Sequence, residues 1–171
     1  MKRRTDQILI GLVVVLMAAV IWVVIARGKA PRFAVETEHG KTISPSQFGG
    51  KLLVLNFWAS WCEPCTEEIP TLDAFQQRFA KQGVVVLGVS IDRDEKLYHQ
   101  FLSRFQVNYD TWRDPQAEGG LAARYRTFQI PETYIIDPSG RVVIKIAGPQ
   151  NFMDPEFVAD IQKVLSSKKF N

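Results

Sequence analysis

The chain has 171 residues, 46% of them hydrophobic and 23% charged, with a formal net charge of +3. Five basic residues and one acidic residue fall in residues 1–30, which leaves sixteen basic against seventeen acidic in the rest. The positive balance thus belongs to the N-terminus, and the remainder has no basic surplus with which to bind nucleic acid. The only two cysteines share one motif, which argues against a structural disulfide elsewhere.

In chain order, the first feature is Ile8 to Ala26, nineteen uncharged and almost wholly apolar residues preceded by Lys2-Arg3-Arg4. As a helix this run spans about 28 Å, close to the hydrocarbon thickness of a bilayer. It ends in Arg27-Gly28-Lys29, a poor match to a small-residue cleavage site, so an uncleaved anchor is expected rather than a removed signal. Lys2, Arg3 and Arg4 nearly balance Arg27, Lys29 and Arg32 in the positive-inside rule. The usual signal-anchor arrangement, together with the redox chemistry below, favours a single pass through the cytoplasmic membrane with the remainder on the extracytoplasmic (periplasmic) side. Residues 1–30 are therefore assigned to the anchor. Residues 31–171 suit one compact domain, joined by a short linker from Gly28 to Pro31.

The domain opens with an extended stretch near Phe33–Glu36 and a turn-rich segment, Ser44–Gly50. The apolar run that follows predicts a buried strand over Leu52–Phe57, then a helix over Cys62–Lys81 and a strand over Val84–Ser90. A helix fits Glu95–Phe105, a short strand Tyr109–Trp112, and a helix Ala117–Tyr125. Two strands, Thr133–Ile136 and Arg141–Ile146, flank the turn Asp137-Pro138-Ser139-Gly140, in which proline presets φ and glycine permits positive φ. Asp154–Leu165 closes the chain as an amphipathic helix. Alternating strands and helices ending in a hairpin and a helix predict an α/β domain with a central mixed sheet.

Within that frame Trp61-Cys62-Glu63-Pro64-Cys65 stands where a strand hands over to a helix. Unpartnered backbone N–H groups and the helix dipole stabilise a thiolate there, and thiolate is the form that attacks disulfides. Cys65, one turn on, can close back onto Cys62 and release whatever was attached. The blander readings are weaker. A structural bridge across so short a loop does little for stability. A zinc site needs about four ligands, and His39 and His99 lack ligand spacing. The pair reads as a dithiol–disulfide exchange site that needs no cofactor beyond itself.

Glu68 is the candidate third catalytic residue. With Leu72, Phe75 and Phe79 it falls on the core-facing stripe of its helix, whereas Glu67 lines up with Thr71, Ala74 and Arg78. A carboxyl on the apolar side has a raised pKa through desolvation and, three residues past Cys65, is placed to move protons to and from that thiol. Its competing reading is a helix glutamate whose head reaches water. Glu63 beside Cys62 opposes the thiolate, which leans the couple toward a reductant. Pro64 suits the first helical turn, while Pro70 is expected to kink the helix. Trp61 is placed to shield the pair and offer a face to a peptide, and Trp58 reads equally well as core.

These residues resemble the thioredoxin superfamily, and within it the membrane-anchored TlpA, ResA and CcmG (DsbE) group. The likeness rests on Trp58-Ala59-Ser60-Trp61-Cys62-Glu63-Pro64-Cys65, on Glu68 and Pro70, on Ile130-Pro131-Glu132-Thr133 and on Asp137-Pro138-Ser139-Gly140, and it covers about Pro31 to Leu165. It implies a thioredoxin fold, with the interval from Ser90 to Pro131 holding an inserted strand–helix unit, and an acid at the Glu68 position. It also implies that Pro131 is a cis-proline facing the dithiol, with Ile130, Pro131 and Glu132 at the substrate edge. Glu132 matches the Pro-Glu-Thr of the cytochrome-maturation branch. The implied activity is extracytoplasmic reduction of protein disulfides such as the C-x-x-C-H sites of apocytochrome c, fed by a membrane thiol donor of CcdA or DsbD type. Three alternatives are set against it. A thiol oxidase or isomerase shares the fold. A peroxide reductase wants a lone peroxidatic cysteine. A non-enzymatic copper-delivery protein wants wider cysteine spacing and a histidine ligand.

Overall fold

The computed structural model describes residues 28–116 and 119–167, so the expected anchor over Ile8–Ala26 lies outside the described residues. In chain order the elements are β1 (Val35–Glu36), β2 (Thr42–Ile43), β3 (Leu52–Trp58), α1 (Glu63–Phe79), a 3-10 turn (Ala80–Gln82), β4 (Val84–Ser90) and α2 (Glu95–Phe105). They continue with β5 (Asp110–Arg113), α3 (Leu121–Arg124), β6 (Glu132–Ile136), β7 (Val142–Ala147) and α4 (Pro155–Ser166). Five strands form one mixed sheet in the order β5-β4-β3-β6-β7. β3 runs parallel to β4, as β4 does to β5, and antiparallel to β6, which in turn runs antiparallel to β7.

The central strands β3 and β4 are almost wholly apolar because both faces of the sheet are covered. All seven residues of β3 are buried, and their alternation divides two cores. Leu52, Val54 and Trp58 pack with the α1 residues Ile69, Leu72, Phe75 and Phe79 and with Ile161 of α4. Leu53, Leu55 and Phe57 pack on the other face with Leu121, Tyr125 and Tyr134. Asn56 shares the α1-facing side with Val54 and Trp58, and is the polar exception in that row.

The differences from the expected elements have identifiable causes. β3 runs one residue further, to Trp58, because Trp58 pairs with Ser90 of β4. The first helix begins at Glu63, with Cys62 as its N-cap rather than its first residue. It ends at Phe79, and the chain turns through Ala80–Gln82 to Gly83 at φ 90°, a conformation that glycine adopts freely. Within α1, Pro70 sits on an exposed position and the helix continues through it. The helix expected over Ala117–Tyr125 is reduced, among the described residues, to Leu121–Arg124. The buried carboxylate of Asp114 accepts from the Leu121 N–H and so fixes the start of that helix from outside it. β2, absent from the expected elements, forms a two-residue antiparallel ribbon with β1.

Candidate active site

Cys62 and Cys65 form a disulfide, so the structure is that of the oxidised couple. Cys62 caps α1, and its sulfur lies 3.3 Å from the Cys65 N–H, one of the helix's otherwise unpartnered donors. Cys62 is 6% exposed and Cys65 fully buried. Cys62 is the more accessible residue of the two, yet it is largely covered in the oxidised form. Access is framed by Trp61, 68% exposed, which stands between two concavities. One runs along Glu63, Thr66 and Glu67 to Arg104 and Phe105 of α2. The other runs past Ile91 and Leu97 to Ala122, Ala123 and Thr127. Trp58, by contrast, is fully buried core.

Glu68 lies one turn beyond Cys65 on the buried face of α1, and is 3% exposed. Oε1 accepts from the Asn56 side-chain amide at 2.7 Å, and Oε2 from the Gln150 backbone N–H at 3.1 Å. Burial pushes the carboxyl up to about 7 from an ordinary 4.5, against the downward pull of those two donors. Glu67, Glu68, Thr71, Pro149, Gln150 and Asn151 line a crevice of about 260 Å³, which gives the carboxyl a route to water. The same Asn56 amide donates to Thr133 Oγ1 at 3.0 Å, across the β3–β6 pairing in which Asn56 faces Thr133. Its carbonyl oxygen Oδ1 is buried and has no hydrogen-bond partner among the described residues. Sequence reasoning missed Asn56, Thr133 and Gln150. The one available signal was an asparagine inside an otherwise apolar strand, since a buried amide needs partners.

Removing the Asn56 donor has a defined direction. In Asn56→Ala the ionised form of Glu68 loses a hydrogen bond, so its pKa is expected to rise by about one unit. Carboxyl ¹³C titration by NMR checks this, and a midpoint that stays near 7 would remove Asn56 from the site.

The Ile130–Pro131 peptide is cis. Pro131 is buried, and its carbonyl accepts from the Gly148 N–H at 2.9 Å. Ile130 is half-buried and touches both cores. Glu132 does not stand open at the substrate edge. It is 3% exposed, its Oε2 accepts from the Tyr134 hydroxyl at 2.7 Å, and its Oε1 pairs with Lys145 of β7 at 2.9 Å. By strand alternation it shares a face with Tyr134, opposite Thr133 and hence opposite Glu68. In this structure its carboxylate is thus engaged within the β6–β7 hairpin, by Tyr134 and Lys145. Glu63 is exposed beside Cys62.

Comparisons with known proteins bear on the family and the fold. Residues 26–145 match the model of the AhpC/TSA family. The chain is similar to the thiol-disulfide oxidoreductase ResA of Bacillus subtilis (strain 168), with 32% identity over 158 residues covering 86% of this chain and 87% of that one. Among solved structures it is similar to a putative thiol:disulfide interchange protein DsbE from Chlorobium tepidum. There the TM-score is 0.72 and the identity 26%, over 81% of this chain and 96% of that one. StoA from Bacillus subtilis, at TM-score 0.65 and 22% identity over 80% and 97% of the two chains, shares the fold alone. The sheet and helices above are thus a thioredoxin-like α/β fold.

Proposed function

We propose, for a chain that belongs to the AhpC/TSA family and is a thiol-disulfide oxidoreductase, that it works as a reductase of protein disulfides, held at the cytoplasmic membrane with its dithiol on the extracytoplasmic side. The observation that carries this reading is Glu68: a buried carboxyl one helical turn past Cys65, able to gain or lose a proton near neutral pH. In the reduced form the Cys62 thiolate attacks one sulfur of the substrate disulfide, and the departing substrate sulfur takes up a proton. Cys65 then gives its proton to the Glu68 carboxylate and attacks the Cys62 sulfur. The second substrate sulfur leaves as a thiolate, which takes its proton from water, and the Cys62–Cys65 disulfide re-forms. Two electrons pass from the dithiol to the substrate, and Glu68 sheds its proton to water through the crevice beside Gln150. The couple itself carries the electrons, so no further cofactor enters.

Trp61, Ile130 and Pro131 are the proposed substrate contacts. Because the Pro131 carbonyl is already bonded to Gly148, strand-like pairing with an extended substrate falls on the Ile130 backbone, for which no internal hydrogen bond is found among the described residues. Such contacts recognise an unfolded segment with little sequence selectivity, as a C-x-x-C-H site of apocytochrome c awaiting haem would present. That substrate, and a membrane thiol donor of CcdA or DsbD type to restore the dithiol, rest on likeness of family and are the finer part of the proposal. The nineteen-residue apolar run at Ile8–Ala26 supports the membrane placement.

The decisive measurement is the reduction potential of the Cys62–Cys65 couple against glutathione. A value near about −270 mV is expected, as for a reductant such as thioredoxin. A value near about −120 mV would mark an oxidant and end the reductase reading.

A further inference from the structure

The segment that presents Cys62 is held from a side that the dithiol chemistry above leaves unused. Asp92, two residues past the end of β4, is 2% exposed and turns both carboxylate oxygens onto that segment. Oδ2 accepts from the Ser60 backbone N–H at 2.9 Å and from the Ser90 hydroxyl at 2.7 Å, while Oδ1 accepts from the Ser60 hydroxyl at 2.7 Å. The Ser60 N–H can only donate, and a carboxylate offers acceptors to it and to both hydroxyls at once, where an amide would offer a single acceptor oxygen. Charge-assisted bonds of this length are the strong ones. Asp92 is itself fixed, since its own N–H donates to Ser90 Oγ at 3.0 Å.

Ser60 spends both of its donors on this one side chain and sits two residues before Cys62, with Trp61 between them. The neighbouring ties are backbone only: the Ile91 N–H to the Trp58 carbonyl at 2.9 Å and the Cys62 N–H to the Ala59 carbonyl at 3.1 Å. Asp92 is thus the only side chain beyond the segment's own residues that is hydrogen-bonded to Ala59–Trp61 among the described residues. It also lines, with Trp61, the concavity that reaches Ala122 and Thr127.

We propose that Asp92 is a positioning residue for disulfide exchange: through Ser60 it fixes the backbone from which Trp61 and Cys62 meet the substrate. Attack on a disulfide needs the thiolate, the attacked sulfur and the leaving sulfur close to a line, and a nucleophile on an unpinned loop spends much of its time outside that geometry. The inference rests on exchange at Cys62–Cys65 and not on its direction, so a potential that ended the reductase reading would leave it standing.

The test compares the full chain with Asp92→Ala, Asp92→Asn, Ser60→Ala and the double variant Ser60→Ala/Asp92→Ala. Measured for each are kcat and KM for reduction of a protein disulfide, the dithiol–disulfide equilibrium constant against glutathione, and the Tm. Asp92→Ala is expected to lower kcat/KM about tenfold and to shift the equilibrium constant severalfold at temperatures well below its Tm. Asp92→Asn, which keeps one acceptor oxygen, is expected to recover part of that loss. Because both side chains act through one contact, the double variant is expected to lose little more than Asp92→Ala alone. If Asp92→Ala does not fold, Ser60→Ala decides by itself, since it removes one hydroxyl and leaves the carboxylate with two donors. A lowered Tm with unchanged kcat/KM and equilibrium constant would overturn the proposal, as would full additivity of the two substitutions.

Discussion

Replacing Glu68 by Gln is expected to slow disulfide exchange about a hundredfold while making the fold more stable above neutral pH. Both effects come from one property of the site. The carboxyl titrates at about 7 in the folded chain, against an ordinary 4.5, because burial penalises its charge. A group whose pKa is raised on folding contributes stability that is fully present below the unfolded value, here about pH 4.5. That contribution is lost as pH rises through about 7. Over this window the loss is about 3 kcal/mol, since each unit is worth about 1.36 kcal/mol. The glutamine is neutral throughout and escapes the penalty. It also fits the space: its oxygen can keep the Gln150 N–H, and its amide N–H can donate to Asn56 Oδ1, which has no partner among the described residues, once that amide turns over. Denaturant titrations at pH 6 and pH 9 are therefore expected to show a gap between variant and parent that widens with pH. What glutamine cannot do is take the proton of Cys65. Loss of a positioned acid–base group costs about 10² to 10⁴ in rate. In stopped-flow traces the step that resolves the mixed disulfide is expected to slow and to lose its pH midpoint near 7. A resolving step with an unchanged pH profile would remove Glu68 from the mechanism and leave it a stability liability alone.

The two halves of that argument were unequally legible in the sequence. Glu68 could be placed on the buried stripe of α1 because helical periodicity is a local property, and Leu72, Phe75 and Phe79 mark the same face. β4 and α2 likewise begin and end where local signals put them. Val84 follows the Gly83 turn, and Asp94 caps α2 by accepting from the N–H groups of Lys96 and Leu97. What the sequence hid is whatever the sheet brings together from a distance. Asn56 and Thr133 are neighbours only because β3 and β6 pair antiparallel in one register, and a single chain carries no sign of that register. The start of α3 depends on a carboxylate seven residues upstream, so a helix read from periodicity alone came out too long. The partner of Glu132 was hidden for the same reason. Its neighbour Lys145 lies on the next strand, and only the hairpin of β6 and β7 shows that the pair is closed. Asp92 stood in plain view, but one aspartate after a strand looks like any loop residue until its three donors are seen.

Gly88 shows how far the packing behind the dithiol is specified by a residue with no side chain. In β4 it reads as a weak point, since glycine inside a strand costs conformational entropy and packs nothing. The structure gives it a different meaning. A Cβ placed there would stand 2.9 Å from Tyr109 Cε2, 3.0 Å from Trp58 Nε1 and 3.4 Å from Thr111 Cγ2. The missing side chain is therefore the space that the Trp58 indole and the Tyr109 ring occupy, and Trp58 also packs against Phe101 at a ring separation of 4.7 Å. None of these neighbours is a flexible chain end. β4 lies between β3 and β5, so the backbone has no free edge to retreat toward. Gly88→Val adds three carbons where the first already collides, and its better strand propensity, at most about 1 kcal/mol, cannot offset that overlap. Overpacking of this kind costs about 1–3 kcal/mol and occasionally more, so a loss of about 3 kcal/mol is expected for valine and a smaller one for alanine. Chemical denaturation of the two variants checks the order. The valine variant is also expected to disturb exchange, because Trp58 begins the segment that ends at Cys62, and an indole pushed from its seat moves the backbone that Asp92 is placed to hold. A valine variant as stable as the parent would mean that the rings behind the dithiol have room that the structure does not show.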